Sequence, residues 1–208
     1  YILLKVVTKL SYIANLTKFN MIFLRLVSLI PYLIILILSA TKIKEEYGWL
    51  TAGILSFSLL AMTEYIDFYL LIRMYSWAIL FMLLAFLSVK GILENNDKKS
   101  WALLTLFAIL GSYTHYFVAI SMIVLYISLF CYFLYTKNTS NIKLEILSSI
   151  IGVISYIPWT LILIDQLMRV KEEYWIEPLG FNDLLDCLSY YLVNIDSVIY
   201  LKVFSILL

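Results

Sequence analysis

Charged residues are scarce in this chain, since only 14% of its 208 residues are Asp, Glu, Lys or Arg, while 63% are hydrophobic. The mean hydropathy of +0.96 is too high for the surface of a soluble domain of this length. A net charge of only +1 provides no basic surface for binding a nucleic-acid backbone. One histidine and two cysteines, Cys131 and Cys187, exclude a His-rich metal site and a disulfide framework. The composition therefore indicates a polytopic membrane protein with no nucleic-acid partner.

Long apolar runs predict an all-α transmembrane helical bundle with about six to seven spans. A bilayer core about 30 Å thick requires about 20 helical residues, so the runs 48–92 and 101–135 must each fold back once. The first is expected to turn at EYIDFYLLIR. The second is expected to turn at GSYTHYF, where Gly111, Ser112 and Thr114 offer a break.

One transmembrane domain is expected over 1–208. It comprises an interfacial amphipathic helix at 1–19, six spans within 21–168, an outer loop at 169–183 and part of a further span at 184–208. Polar connections are expected at 41–47, 93–100 and 136–143. The chain begins at Tyr1 and ends inside an apolar run, so we expect an internal fragment with spans or loops beyond either end.

Three ionisable residues, Glu64, Asp67 and Arg73, lie within EYIDFYLLIRMY, in an otherwise apolar run. Ionisable groups at membrane depth are costly and usually line a cavity or a site. The span count places this turn, GSYTHYF and the loop with EEYWIEP on one side of the membrane, and three lysine-bearing loops on the other. The positive-inside rule puts the lysine loops in the cytoplasm, although the counts become equal if the basic residues of 1–25 lie outside.

Four motifs, IRMYSW, YTHYF, IPW and YWIEP, occur in an order that resembles the membrane glycosyltransferases of the GT-C superfamily. The likeness is to the bacterial and archaeal family 39 type, related to protein mannosyltransferases and aminoarabinose transferases. It implies transfer of a sugar from a polyprenyl- or dolichyl-phosphate donor to a lipid, glycan or protein acceptor. It also implies an integral, multi-pass protein of a prokaryotic plasma membrane, in contact with membrane lipids and with its active face outside. The family's catalytic acid lies in a first outer loop, which would precede Tyr1.

The candidate catalytic residues are Asp67 and Glu64. Family members commonly read SQEAR before MY, whereas this chain reads YLLIR, so Leu71 stands in the place of the glutamate. Asp67 lies one helical turn earlier and is a candidate substitute, unless the chain is a diverged or inactive member. An ionised carboxylate acts as a base, orients an acceptor or assists a divalent metal. The sequence shows no set of metal ligands and no cofactor motif, and it leaves open whether the reaction uses a divalent metal.

Arg73 is the candidate ligand of the donor phosphate, because a guanidinium presents a planar fork of donors to phosphate oxygens. An ion pair with Asp67 or contact with lipid headgroups is the ordinary alternative. His115 and Tyr116 are further phosphate-binding candidates, since imidazole donates at one nitrogen and accepts at the other. A place in the interfacial aromatic belt is the alternative for both.

Aromatic side chains are candidates for a wall against the sugar or the lipid. They are Tyr75, Trp159 and Trp175. Aromatic belts form at every membrane surface, so belt residues are the alternative interpretation.

Two rival functions use the same turn. A lipid or amphiphile transporter or flippase would use Glu64, Asp67 and Arg73 for gating or substrate binding, but no internal repeat or pair of broken helices is visible. A non-catalytic membrane subunit would need no chemistry there.

Overall fold

The computed structural model describes residues 20–61, 74–95, 97–172 and 180, and the regular structure in these ranges is all helical. The elements are α1 (Asn20–Leu38), a π-helical turn (Ser39–Ile43), α2 (Lys44–Ala61), α3 (Tyr75–Asn95), α4 (Lys98–Thr114), α5 (Tyr116–Tyr135) and α6 (Thr139–Glu172). The predicted all-α class is confirmed. The chain divides into two compact units, 1–161 and 162–208, and the division falls within α6.

Among the described residues, four helical stretches are long and apolar enough to cross a membrane. They are Arg25–Leu60, Tyr75–Asn95, Tyr116–Tyr135 and Thr139–Met168. Large apolar side chains stay exposed along them, as at Leu161, which is 75% exposed. Such surfaces suit lipid rather than water, so the chain has the character of a membrane protein. The expected six to seven spans are not confirmed, because four stretches of the described residues meet this length and hydropathy, and α4, with 17 residues, is not among them.

The helices α1 and α2 form an antiparallel hairpin within the stretch 25–60. The Tyr32 hydroxyl donates to the Leu59 carbonyl at 3.2 Å, and the Ser39 hydroxyl donates to the Ala52 carbonyl at 2.9 Å. The fold-back occurs at Gly48, whose φ of 86° and ψ of 165° are essentially restricted to glycine. The connection expected at 41–47 is instead helical, because its polar residues continue the turns of the chain up to this single break.

Gly48→Ala is expected to lower the free energy of unfolding by about 1–3 kcal/mol, since this backbone conformation is strained for any residue with a Cβ. An added Cβ would meet no atom within 4 Å, so the loss would come from the backbone alone. The control is Gly53→Ala within α2, which also has open space and gains about 0.5–1 kcal/mol of helix propensity. Thermal melting in detergent measures both variants, and equal melting temperatures would contradict the turn at Gly48.

Helices α3 and α4 also run antiparallel to the helix before them in the bundle. Ser76 donates through its hydroxyl to the Ser28 carbonyl at 2.7 Å, so the start of α3 lies beside the first half of α1. Gly91 near the end of α3 packs against Ser100 near the start of α4, and Gly111 near the end of α4 packs against Phe81 near the start of α3, so these two helices are antiparallel. The apolar core between α3, α4 and α5 is centred on Ala85, Ile92, Leu104, Val118 and Phe133. Helix ends therefore collect at two opposite ends of the first unit.

One end, called here the lysine end, contains the α1–α2 turn and the α3–α4 and α5–α6 connections. Lys90 lies 3.8 Å from carboxylate oxygens of both Glu46 and Glu94, which ties α3 to the hairpin. Asp97 caps α4 by accepting hydrogen bonds from the backbone N–H groups of Lys99 and Ser100. The Lys99 N–H bond contributes most to holding the pKa of Asp97 below its usual value. The opposite end, called the aromatic end, contains the start of α3 and the α4–α5 junction.

Candidate functional site

His115 forms the junction between α4 and α5 at the aromatic end. Its backbone is extended, with φ of −154° and ψ of 133°, and its N–H donates to the Gly111 carbonyl at 3.0 Å. Its ring nitrogen Nδ1 accepts the backbone N–H of Phe117 at 3.2 Å, which caps the first turn of α5. One residue thus ends one helix with its backbone N–H and begins the next with its side chain.

The helix break differs from the sequence expectation by a few residues. Gly111, expected to be part of the break, is helical and buried. A Cβ on Gly111 would lie 2.7 Å from Cγ1 of Val118, so glycine permits the close approach of α4 and α5. The chain changes direction at His115 because the imidazole accepts a hydrogen bond from a backbone N–H in the first turn of α5. Glycine has no side chain that could accept this bond.

The capping bond also fixes the chemistry of the imidazole. Because Nδ1 accepts a hydrogen bond, the proton of the neutral ring lies on Nε2. Partial burial lowers the pKa of His115, since desolvation disfavours the charged ring. His115 therefore presents a neutral ring whose Nε2–H is a hydrogen-bond donor.

Aromatic rings surround His115. The Tyr75 ring, at the start of α3, lies 5.5 Å from the imidazole, centroid to centroid. The rings of Tyr116 and Phe117 stack on it at 4.7 Å and 5.3 Å. The motifs IRMYSW and YTHYF, which are far apart in the chain, thus meet at their aromatic residues.

A second aromatic group joins α4 to α6 beside this junction. The Tyr113 ring lies 5.8 Å from that of Trp159 and 5.7 Å from that of Tyr156. The Tyr113 hydroxyl donates to the Ser155 carbonyl. Tyr156 was not among the predicted site residues, although its position three residues before Trp159 puts both on one helix face.

Four of the predicted site residues lie at the aromatic end: Tyr75, His115, Tyr116 and Trp159. The other four, Glu64, Asp67, Arg73 and Trp175, lie outside the described residues. Within the described ranges, no group of three or more His, Cys, Asp or Glu residues is arranged to hold a metal ion. The aromatic end offers ring surfaces and one imidazole donor.

A polar cluster that the sequence did not predict lies closer to the lysine end. Asn141, Glu145 and Ser148 of α6 are all buried, and Glu145 is only 2% exposed. The Trp101 indole donates to the Asn141 side-chain oxygen at 3.2 Å, and Ser148 contacts hydroxyl groups of α4 and α5. The spacing of four and three residues along α6 is the signal that was missed, because it places the three polar residues on one face.

No protein-family model, curated protein or solved structure matches this chain.

Proposed function

We propose that this protein is a multi-pass membrane glycosyltransferase that moves a sugar from a polyprenyl- or dolichyl-phosphate donor to an acceptor hydroxyl. One observation carries the proposal: the imidazole of His115, which presents an Nε2–H donor, lies 5.5 Å from the Tyr75 ring, centroid to centroid, at the aromatic end of an apolar helical unit. The motif resemblance supports the same assignment. A donor whose polyprenyl tail lies in the bilayer would present its phosphate where the apolar helices end.

In the proposed reaction, the acceptor oxygen forms a bond to the anomeric carbon while the bond from that carbon to the phosphate oxygen breaks. Arg73 and the Nε2–H of His115 stabilise the negative charge of the departing polyprenyl phosphate. Asp67, with Glu64 nearby in sequence, or an acid preceding Tyr1 takes the acceptor proton. The leaving group is already a phosphate, so positioning and charge stabilisation are the main tasks. Inversion at the anomeric carbon follows from the resemblance.

The aromatic side chains take the remaining roles. Tyr75 and Trp159 form a wall for the sugar or the first isoprene units. Tyr116, whose side chain is 52% exposed, adds a hydroxyl to the phosphate site. In this proposal the aromatic end faces outward from a prokaryotic plasma membrane, and the lysine end faces the cytoplasm.

His115→Asn is the sharpest test among the described residues. Asparagine is a good helix N-cap, so this variant keeps the α5 cap while it removes the imidazole donor. We expect the release of polyprenyl phosphate from a panel of polyprenyl-phosphate hexoses and pentoses to fall about 100-fold, with little change in melting temperature. His115→Ala should lose the same activity and, in addition, about 1 kcal/mol of stability.

Two results would count against the proposal. Turnover at the wild-type rate by both His115→Asn and His115→Ala would remove His115 from the site, since alanine has no side-chain donor. If the wild-type chain consumed no donor of the panel, a lipid transporter or a non-catalytic subunit would become the better assignment.

A further inference from the structure

The buried polar cluster of α6 is joined to α4 and α5 by a series of hydrogen-bonded hydroxyl groups, called here the hydroxyl chain, in which the donor of each bond can be assigned. The Thr105 hydroxyl donates to the Trp101 carbonyl at 2.8 Å, so its single proton is committed. Ser148 must therefore donate across the 2.6 Å contact with Thr105. Tyr126 must in turn donate across its own 2.6 Å contact with Ser148. Each of the three hydroxyl groups therefore donates its proton to another atom of this series, and none is left to donate to a further group.

Glu145 lies between Asn141 and Ser148 on the same face of α6 and receives none of these protons. Its side-chain oxygen Oε2 is fully buried and has no hydrogen-bond partner among the described residues. The ion pairs among the described residues involve the carboxylates of Glu46 and Glu94, and none involves Glu145. A buried carboxylate with neither a donor nor a cation is strongly unfavourable, whereas a neutral carboxyl costs far less.

We infer that Glu145 is a proton-binding site: its carboxyl is neutral in the folded bundle, and its proton is an exchangeable ligand of the interface that α6 forms with α4 and α5. The proton neutralises the carboxyl, since the described residues supply no cation to pair with it. Its loss leaves a charge facing the hydroxyl chain and weakens the attachment of α6. The inference does not depend on the glycosyltransferase assignment.

The polar groups of this cluster come from three helices. Helix α4 contributes the Thr105 hydroxyl and the Trp101 indole, and α6 itself contributes Asn141 and Ser148. Helix α5 contributes Tyr126, the titratable group of this set, which lies within electrostatic range of Glu145. None of these groups carries a positive charge at neutral pH, so none of them supplies a counter-ion for a Glu145 carboxylate.

Infrared spectroscopy of the purified full chain in lipid nanodiscs tests the inference directly. The wild type at neutral pH should show the carbonyl stretch of a protonated carboxyl, and Glu145→Gln should lack it. The matched control is Glu94→Gln, which removes a carboxylate whose side chain is 58% exposed and should leave this band unchanged. A wild-type spectrum identical to that of Glu145→Gln in this region would overturn the inference.

Stability provides a second readout that distinguishes a proton from a metal cation. If the folded state binds a proton that the unfolded state has released, stability falls as pH rises. The melting temperature of the wild type should therefore drop with rising pH relative to Glu145→Gln, in which the neutral amide replaces the neutral carboxyl. A Glu145→Gln variant that is less stable than the wild type at every pH, together with stabilisation of the wild type by sodium, would show a bound cation instead and refute the proton site.

Discussion

Replacing Trp101 with alanine is expected to lower the free energy of unfolding by about 3–5 kcal/mol, because it opens a large cavity in the core. The Trp101 side chain is 3% exposed, and its ring lies 6.1 Å from that of Phe133 on α5. Its indole nitrogen donates to the Asn141 side-chain oxygen of α6 at 3.2 Å. One side chain of α4 therefore contacts both α5 and α6. In lipid, packing and hydrogen bonds of this kind hold helices together.

Two matched variants separate the contributions of Trp101. Trp101→Phe keeps an aromatic ring but leaves the Asn141 oxygen without its donor, which should cost about 1–3 kcal/mol. Trp49→Ala truncates a tryptophan that is 75% exposed and should change stability little. Denaturation of the purified protein in detergent measures all three, and equal losses for Trp101→Ala and Trp49→Ala would contradict the packing described.

Under the proposed function, Arg73→Ala is expected to reduce transfer from a polyprenyl-phosphate sugar by about 100- to 1,000-fold, since it would remove a positive charge proposed to stabilise the leaving phosphate. Arg73 lies outside the described residues, but it precedes Tyr75 by two positions, and the Tyr75 ring contacts His115. Membrane insertion should be unaffected, because replacing an arginine with alanine does not raise the cost of inserting the chain into the bilayer.

Two control variants separate the effect of losing the Arg73 charge from the effect of losing an arginine elsewhere in the chain. Arg73→Lys keeps the charge but loses the planar fork, so it should retain part of the activity. Arg25→Ala removes an exposed arginine from α1 and should leave turnover unchanged. Turnover is followed as released polyprenyl phosphate, and an Arg73→Ala variant with wild-type turnover would remove this residue from the proposed site.

The helical class was predictable because apolar runs of this length have few other structures available. Helix ends were harder to predict, since polarity marks where a chain leaves an apolar environment and not where its backbone hydrogen bonds end. The polar stretch 41–47 continues as helix up to Gly48. Helix α6 begins at Thr139, inside the connection expected at 136–143, and ends at Glu172, beyond the limit of 168 expected for the spans. The extended backbone at His115 depends on a capping bond that no hydropathy pattern indicates.

The candidate site was predictable only in part. Counting turns placed the motifs of Tyr75 and His115 on one side, and the structure puts their rings 5.5 Å apart. Glu145 was missed because a single glutamate near a polar connection is typical of an exposed helix surface. Its burial depends on which face of α6 meets α4 and α5, and that choice is made by tertiary packing.

The spacing of the hydrogen bonds along the chain has a consequence for assembly during synthesis. Ser39 and Ala52 are 13 positions apart, so the α1–α2 hairpin can close before α3 has been made. The bond from Trp77 to Val27 spans 50 positions, and that from Trp101 to Asn141 spans 40. Each helix thus finds a partner that is already present or soon to emerge from the ribosome. We expect insertion to proceed in chain order, with α6 completing the first unit when its polar face meets α4.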